Sequence, residues 1–335
     1  MAMLPRTLDT KLDRIREGTY RPTDFVIADA KDADMGFGRA APGPATDEAG
    51  RLSTGFKSRA DYLQAIRTMT ESGLVDVMLM SASSAEALVD EGAFEANGVT
   101  PAVRLNDATD IWAMRGGAYL QGASRPFATV RPATARVSVD LGLYSVTFSN
   151  DLDHDVRSLE AYAAFRETAS AVGLRHFLEV FNPAFDVGLI GARLGAFVND
   201  CIIRSLAGVV AAERPLFLKL VYNGPEAMEE LASYDPAGLV VGVLGGSKGT
   251  TRDTFELARQ AERHGARIAL FGRKINLAED PLALVDLMRR VVEGDTTSAD
   301  AVRTYHDRLA KAGRAAQRSL EEDLVVTDPV LAAEA

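Results

Sequence analysis

Eight short apolar runs, most of them separated by stretches of helical periodicity, constrain what this chain can fold into more than any other feature. They are FVIAD (25–29), VDVMLMS (75–81), TPAVRL (100–105), LYSVTFS (143–149), FLEVF (177–181), LFLKLVY (216–222), LVVGVLG (239–245) and RIALFG (267–272). Strands that are apolar on both faces must be covered on both, and helices alternating with them do this. Helical spacing is seen in SRADYLQAIRTMTESG, SLEAYAAFRETASAVG and TTRDTFELARQAERHG, the last with Thr and Asp at its start and Gly at its end, as caps require. The pattern predicts the α/β class and a single (β/α)8 TIM barrel over 24–294, rather than a doubly wound open sheet. Residues 1–23 are then an N-terminal extension and 295–335 a C-terminal helical tail.

A chain of 335 residues, 47% hydrophobic and 25% charged, suits one such barrel with a sizeable core. Its formal net charge of −10 speaks against a general nucleic-acid surface. Cys201 is the single cysteine, so an intrachain disulfide is impossible and a reducing compartment is expected. No apolar run has the length of a signal-peptide core or a membrane span. The expectation is a cytoplasmic protein, a homo-oligomer, with neither nucleic acid nor membrane as a partner.

In a barrel of this kind, function sits at the C-terminal ends of the strands. Those ends carry Asp29, Lys31 and Asp34 after the first, Arg104, Asn106 and Asp107 after the third, Glu179 and Asn182 after the fifth, and Lys219 on the sixth. The last two strands end in LGGSKG and FGRKIN. Gly245 and Gly246 offer backbone N–H groups to an anion, Ser247 adds a hydroxyl, and Thr250 or Thr251 starts the next helix. Gly272 and Arg273 repeat the arrangement one strand later. Phosphate binding by Gly245, Gly246, Ser247, Gly272 and Arg273 is therefore expected, against the plainer reading of glycines that only make tight turns.

Lys219 lies inside PLFLKLVYNG, and alternation puts it on one face with Phe217, Val221 and Asn223. A desolvated amine loses its proton more easily and can attack a carbonyl, giving an iminium that draws electrons from a neighbouring C–C bond. The competing reading is a structural ion pair with Glu179. Asp29 and Lys31 share strand parity, which would let both face the mouth and move a proton; a solvated charged loop is the plainer reading. The four histidines have no paired spacing, so a His-ligated metal is not expected. Oxygen-ligated magnesium at Asp29, Asp32 or Asp34 stays open. Residues 36–58, GFGRAAPGPATDEAGRLSTGFKS, read as a long loop, either a lid or a surface insertion.

The segment from about Leu143 to Arg290 resembles the archaeal-type class I fructose-bisphosphate aldolases, relatives of deoxyribose-phosphate aldolase. VLGGSKGTTRDTFELARQAERHGARIALFGRKINLAEDP is similar to that family's phosphate-binding turn, helix and terminal strand. KLVYNG is similar to its Schiff-base strand, and FVIAD to its first strand ending in a catalytic aspartate, here Asp29. The family's lysine falls at Val221, two residues beyond Lys219; Phe148 stands where it has a tyrosine, and Lys274 where it has an asparagine. The resemblance implies a lyase working on a phosphorylated sugar or sugar-acid without a cofactor, with Lys219 as nucleophile, Asp29 in proton transfer, and Glu179 or Lys31 assisting. A second resemblance, of Asp29, Lys31 and Asp34 to the D-x-K-x-x-D signature of the orotidine-monophosphate decarboxylase group, implies a decarboxylase or isomerase. It ranks second because that signature belongs to a third strand. A non-catalytic phosphate-binding barrel is the remaining alternative.

Overall fold

The structure is a computed structural model that describes residues 5–46, 52–247 and 249–335. Eight parallel strands close into a barrel: β1 (Val26–Lys31), β2 (Val77–Met80), β3 (Thr100–Arg104), β4 (Leu141–Thr147), β5 (Arg175–Phe181), β6 (Leu218–Leu220), β7 (Gly242–Leu244) and β8 (Ile268–Phe271). Each strand pairs with its neighbours in sequence, and β1 closes the ring on β8 through Val26↔Ile268 to Asp29↔Phe271. All eight expected strands are present, shifted by at most a few residues at their ends.

Alternation sorts the strand residues into two layers. Val26, Ala28 and Ala30 of β1 share an inner core with Val77, Leu79, Ala102, Leu141, Leu143, Phe177, Phe217, Ile268 and Leu270. Ile27, Val103, Val146, Val180, Leu220, Val243 and Phe271 pack outward against the helices. Small residues are required where strands crowd: a Cβ on Gly242 would meet the Leu218 carbonyl oxygen at 2.7 Å and Ile268 Cβ at 2.8 Å. The N-terminal extension is part of this inner core. Its helix Thr7–Arg16 buries Leu8, Leu12 and Ile15 with the inward strand residues, so it plugs the barrel at the end away from the strands' C-termini.

The helix Thr251–Arg263 after β7 is capped by Thr250, whose side chain accepts from the Asp253 N–H while Asp253 accepts from Thr250 N. The C-terminal tail folds back on the same end. Asp323 accepts from Thr251 N at 2.7 Å, and Asp253 accepts from the N–H of Thr327 at 2.7 Å. Of the long loop after β1, Pro44–Thr46 and Leu52–Phe56 form an antiparallel hairpin, and residues 47–51 lie outside the described residues. No helix among the described residues is long and apolar enough to cross a membrane.

Candidate active site

A cavity of about 300 Å³ opens at the C-terminal ends of the strands. Lys219, Glu179, Arg104 and Asp32 line it, as do Gly245, Gly246, Gly272 and Arg273. Inward parity explains the first group. Below Arg104, Glu179 and Lys219 on their strands lie Ala102, Phe177 and Phe217, and the two phenyl rings stack at 4.6 Å to form an apolar floor. The polar layer sits on that floor where the strands run out.

Lys219 and Glu179 are register partners on adjacent strands, and Lys219 Nζ lies 2.6 Å from Glu179 Oε1. The other carboxylate oxygen accepts from Arg104 Nη2 and from Ser145 Oγ, both at 2.8 Å. Arg104 Nη1 also donates to Ser145 Oγ at 2.6 Å, and its Nε donates to Asp32. Asn106 brackets the backbone of Ser145, accepting from its N–H at 2.6 Å and donating to its carbonyl at 2.8 Å. Two cations and two carboxylates are thus held as one buried network, with Lys219 5% exposed and Glu179 1%. Burial pushes the Glu179 carboxyl up, but the Lys219 and Arg104 charges and their hydrogen bonds outweigh it and hold it at about 2. Burial likewise works against the Arg104 charge, and the Asp32 and Glu179 carboxylates outweigh it, so Arg104 is raised above its ordinary value.

Lys219 therefore faces a carboxylate, in place of the hydrocarbon wall its strand suggests. Lys219 is ion-paired with Glu179 and also lines the cavity. The face shared with Val221 does not continue. The strand ends at Leu220, and Val221 lines a neighbouring hollow with Tyr222, Ser247 and Lys274. Phe148 belongs to the outer layer, away from the cavity.

The expectation that Asp29 and Lys31 face the mouth is corrected. Ala28 and Ala30 hold the inward positions of β1, so Asp29 and Lys31 point outward beside Ile27. Neither lines the cavity; the inward parity reaches the mouth at Asp32. Asp29 is fully buried with Lys31 Nζ 3.3 Å away, and Lys31 donates to Asn276 at 3.0 Å. Burial raises Asp29 to about 6, against the pull of Lys31, and burial lowers Lys31. Asp34, the third member of the decarboxylase-like motif, accepts from Ser81 at 2.6 Å. Asp29, Asp32 and Asp34 thus have separate partners, and no group of three or more His, Cys, Asp or Glu among the described residues is placed to hold a metal.

Of the expected anion-binding residues, Gly245, Gly246, Gly272 and Arg273 line the cavity, and Ser247 lies on the neighbouring hollow. Gly246 takes a left-handed backbone, φ 61°, which turns the chain from β7 back toward its helix. The Arg273 guanidinium lies 5.3 Å from the Phe37 ring centroid, and no described carboxylate pairs with it. The helix N-terminus after β7 is closed to a ligand on this side by Asp253 and Asp323. Lys248 of the same turn lies outside the described residues. Sequence reasoning missed Asp32 as a cavity residue and also Asp110, which enters from the connection between β3 and β4. A short polar run at the end of an apolar strand was the available signal for Asp32; Asp110 had none.

No known family profile matches the chain. An uncharacterized aldolase of Pasteurella multocida (strain Pm70) is 31% identical over 103 residues, 31% of this chain and 35% of that one. The match thus spans about a third of the curated relative. Among solved structures, an archaeal fructose 1,6-bisphosphate aldolase superposes with a TM-score of 0.58 at 14% identity, over 86% of this chain and 99% of that one. An archaeal fructose-1,6-bisphosphate aldolase whose catalytic lysine is bound to the carbinolamine intermediate gives 0.57 at 17%, over 85% and 99%. The fructose-bisphosphate aldolase of Slackia heliotrinireducens gives 0.57 at 13%, over 94% and 93%. The chain thus has the fold of these aldolases, and one stretch of its sequence is similar to an uncharacterized aldolase.

Proposed function

We propose that the protein is a class I aldolase-type lyase that makes or breaks a C–C bond next to a carbonyl held as a Schiff base on Lys219. The observation that carries this reading is the Lys219–Glu179 pair at 2.6 Å, buried over an apolar floor yet open to the cavity. A non-catalytic anion-binding barrel gives no reason to bury two cations and two carboxylates at its mouth, because such burial is costly.

Lys219 must lose a proton before its nitrogen attacks, and Glu179 Oε1, a weak base beside Arg104, is in place to relay it. The nitrogen lone pair adds to the carbonyl carbon, the C=O electrons move to oxygen, and the carbinolamine hydroxyl leaves as water with the proton returned from Glu179. In the cleavage direction, a carboxylate then takes the proton of the hydroxyl on the far carbon. The C–C electrons flow into the iminium, leaving an enamine and a free aldehyde. Protonation of the enamine carbon and hydrolysis by water restore the amine. Asp32 stands on the cavity wall for the second proton, and Arg104 positions both carboxylates. Asp29 and Lys31, set behind β1, act by supporting that strand and Asn276 rather than by touching substrate.

Phosphate held near Gly245, Gly246, Gly272 and Arg273 would fix the carbonyl over Lys219, and a phosphorylated sugar or sugar-acid has that form. An assay for aldehyde release from ketose phosphates tests the reading. Turnover is expected to fall by about 10²–10⁴ in Glu179→Gln and to background in Lys219→Ala. Full activity in Lys219→Ala would refute it.

A further inference from the structure

The charges lining the cavity fall into a closed set and two remainders. Arg104, Lys219, Asp32 and Glu179 neutralise one another within hydrogen-bonding distance. Among the described residues this leaves one cation, Arg273, and one acid, Asp110. Their places differ. Arg273 follows β8, whereas Asp110 lies beside Thr147 at the end of β4 and the backbone of Ala184 after β5. In a ring of eight strands, β4 stands across from β8. Ile111, Ala113 and Leu120, from the same connection as Asp110, add apolar wall. A second anionic group at this side would meet hydrocarbon and a carboxylate, with no cation among the described residues lining that wall to compensate its desolvation.

From this division of charge we infer that the substrate carries a single anionic group, seated at Arg273, and that its other end is uncharged and bears hydroxyls. The inference rests on the Schiff-base reading for the carbonyl between the two ends. A hydroxylated end suits Asp110, which accepts hydrogen bonds from O–H groups whereas a phosphate would be repelled. Sugar bisphosphates are thereby excluded as preferred substrates, and ketose monophosphates are selected.

Calorimetric titration of the wild-type chain with fructose 1-phosphate and with fructose 1,6-bisphosphate at equal ionic strength tests this without requiring turnover. The monophosphate is expected to bind at least about tenfold more tightly, and Arg273→Gln to weaken it by about 10- to 100-fold, the worth of a charge-assisted phosphate contact. Ala184→Arg, which places a cation at the exposed far wall, is expected to narrow the preference. Bisphosphate binding as tight as, or tighter than, the monophosphate would overturn the inference. So would an unchanged affinity in Arg273→Gln. Borohydride reduction of the same mixtures separates the two claims: a monophosphate preference without a reducible adduct upholds the single-anion site and defeats the Schiff-base reading.

Discussion

Lys219 is a buried cation paired with the Glu179 carboxylate, and the rest of the network keeps that carboxylate ionised. Glu179 has its folded value lowered to about 2, below the unfolded carboxyl, so its contribution to stability is present above about pH 4.5 and fades only as pH falls toward 2. Arg104 holds the network together. Arg104→Ala is expected to destabilise the protein by about 3–5 kcal/mol, because Glu179 and Asp32 lose their shared guanidinium while buried. Urea denaturation measures it, and a loss below about 1 kcal/mol would contradict the network's role. His176 offers a separate test. Its ring is buried at the start of β5, 2.9 Å from the Tyr162 hydroxyl, and burial pushes it down to about 4. A depressed histidine stabilises above its unfolded value near 6.5, and that stability is lost as pH falls toward 4. Asp29 runs the other way: raised to about 6, it stabilises at low pH, and the contribution is lost as pH rises through 6. The stability difference between wild type and His176→Gln should therefore shift by up to about 1.4 kcal/mol per pH unit between pH 4 and 6.5. A pH-independent difference would show that His176 does not titrate with folding.

At the level of elements, strand parity decides which residues line the cavity. The apolar runs make all eight strands legible in the sequence. Lys219 and Glu179 are legible too, because a charge inside a short apolar strand is too costly to bury unless it is paired or reactive. Asp29 and Lys31 are not, because an isolated strand has two faces, and neither face of FVIAD is marked as inner until the ring closes. Ala28 and Ala30 mark it in the structure, since small inward side chains give the neighbouring strands room. Asp110 is illegible on different grounds. Residues 106–140 form short turns and a two-residue ribbon with no periodicity, and only the fold brings Asp110 beside the ends of β4 and β5. The N-cap after β7 is legible as Thr followed by Asp, but its occupation by Asp323 and Thr327 of the tail is not. Thr250→Ala removes the cap and the bond to the Val325 carbonyl together, and is expected to cost about 1–2 kcal/mol in denaturant stability. A neutral effect would show that the tail alone secures that helix end.

Across the whole molecule, the barrel has one closed end and one open end. The helix Thr7–Arg16 closes the first with Leu8, Leu12 and Ile15, and the apolar layers between isolate the charged mouth from it. Leu12→Ala should cost about 2–5 kcal/mol by opening a cavity in the inner core, while KM for any substrate stays unchanged because the site lies at the other end. An altered KM would mean that the two ends are coupled. The global charge of −10 repels anions, so the phosphorylated substrate proposed above would depend on Arg273 and the glycine turns at the mouth. The central claim is that Lys219 itself bonds to the substrate carbon. Intact-mass measurement after borohydride reduction with a ketose monophosphate tests it most directly. A stable adduct of the reduced ligand is predicted, mapped to the peptide containing Lys219 and absent from Lys219→Ala. No mass change in the wild type, or an adduct that persists in Lys219→Ala, would contradict it.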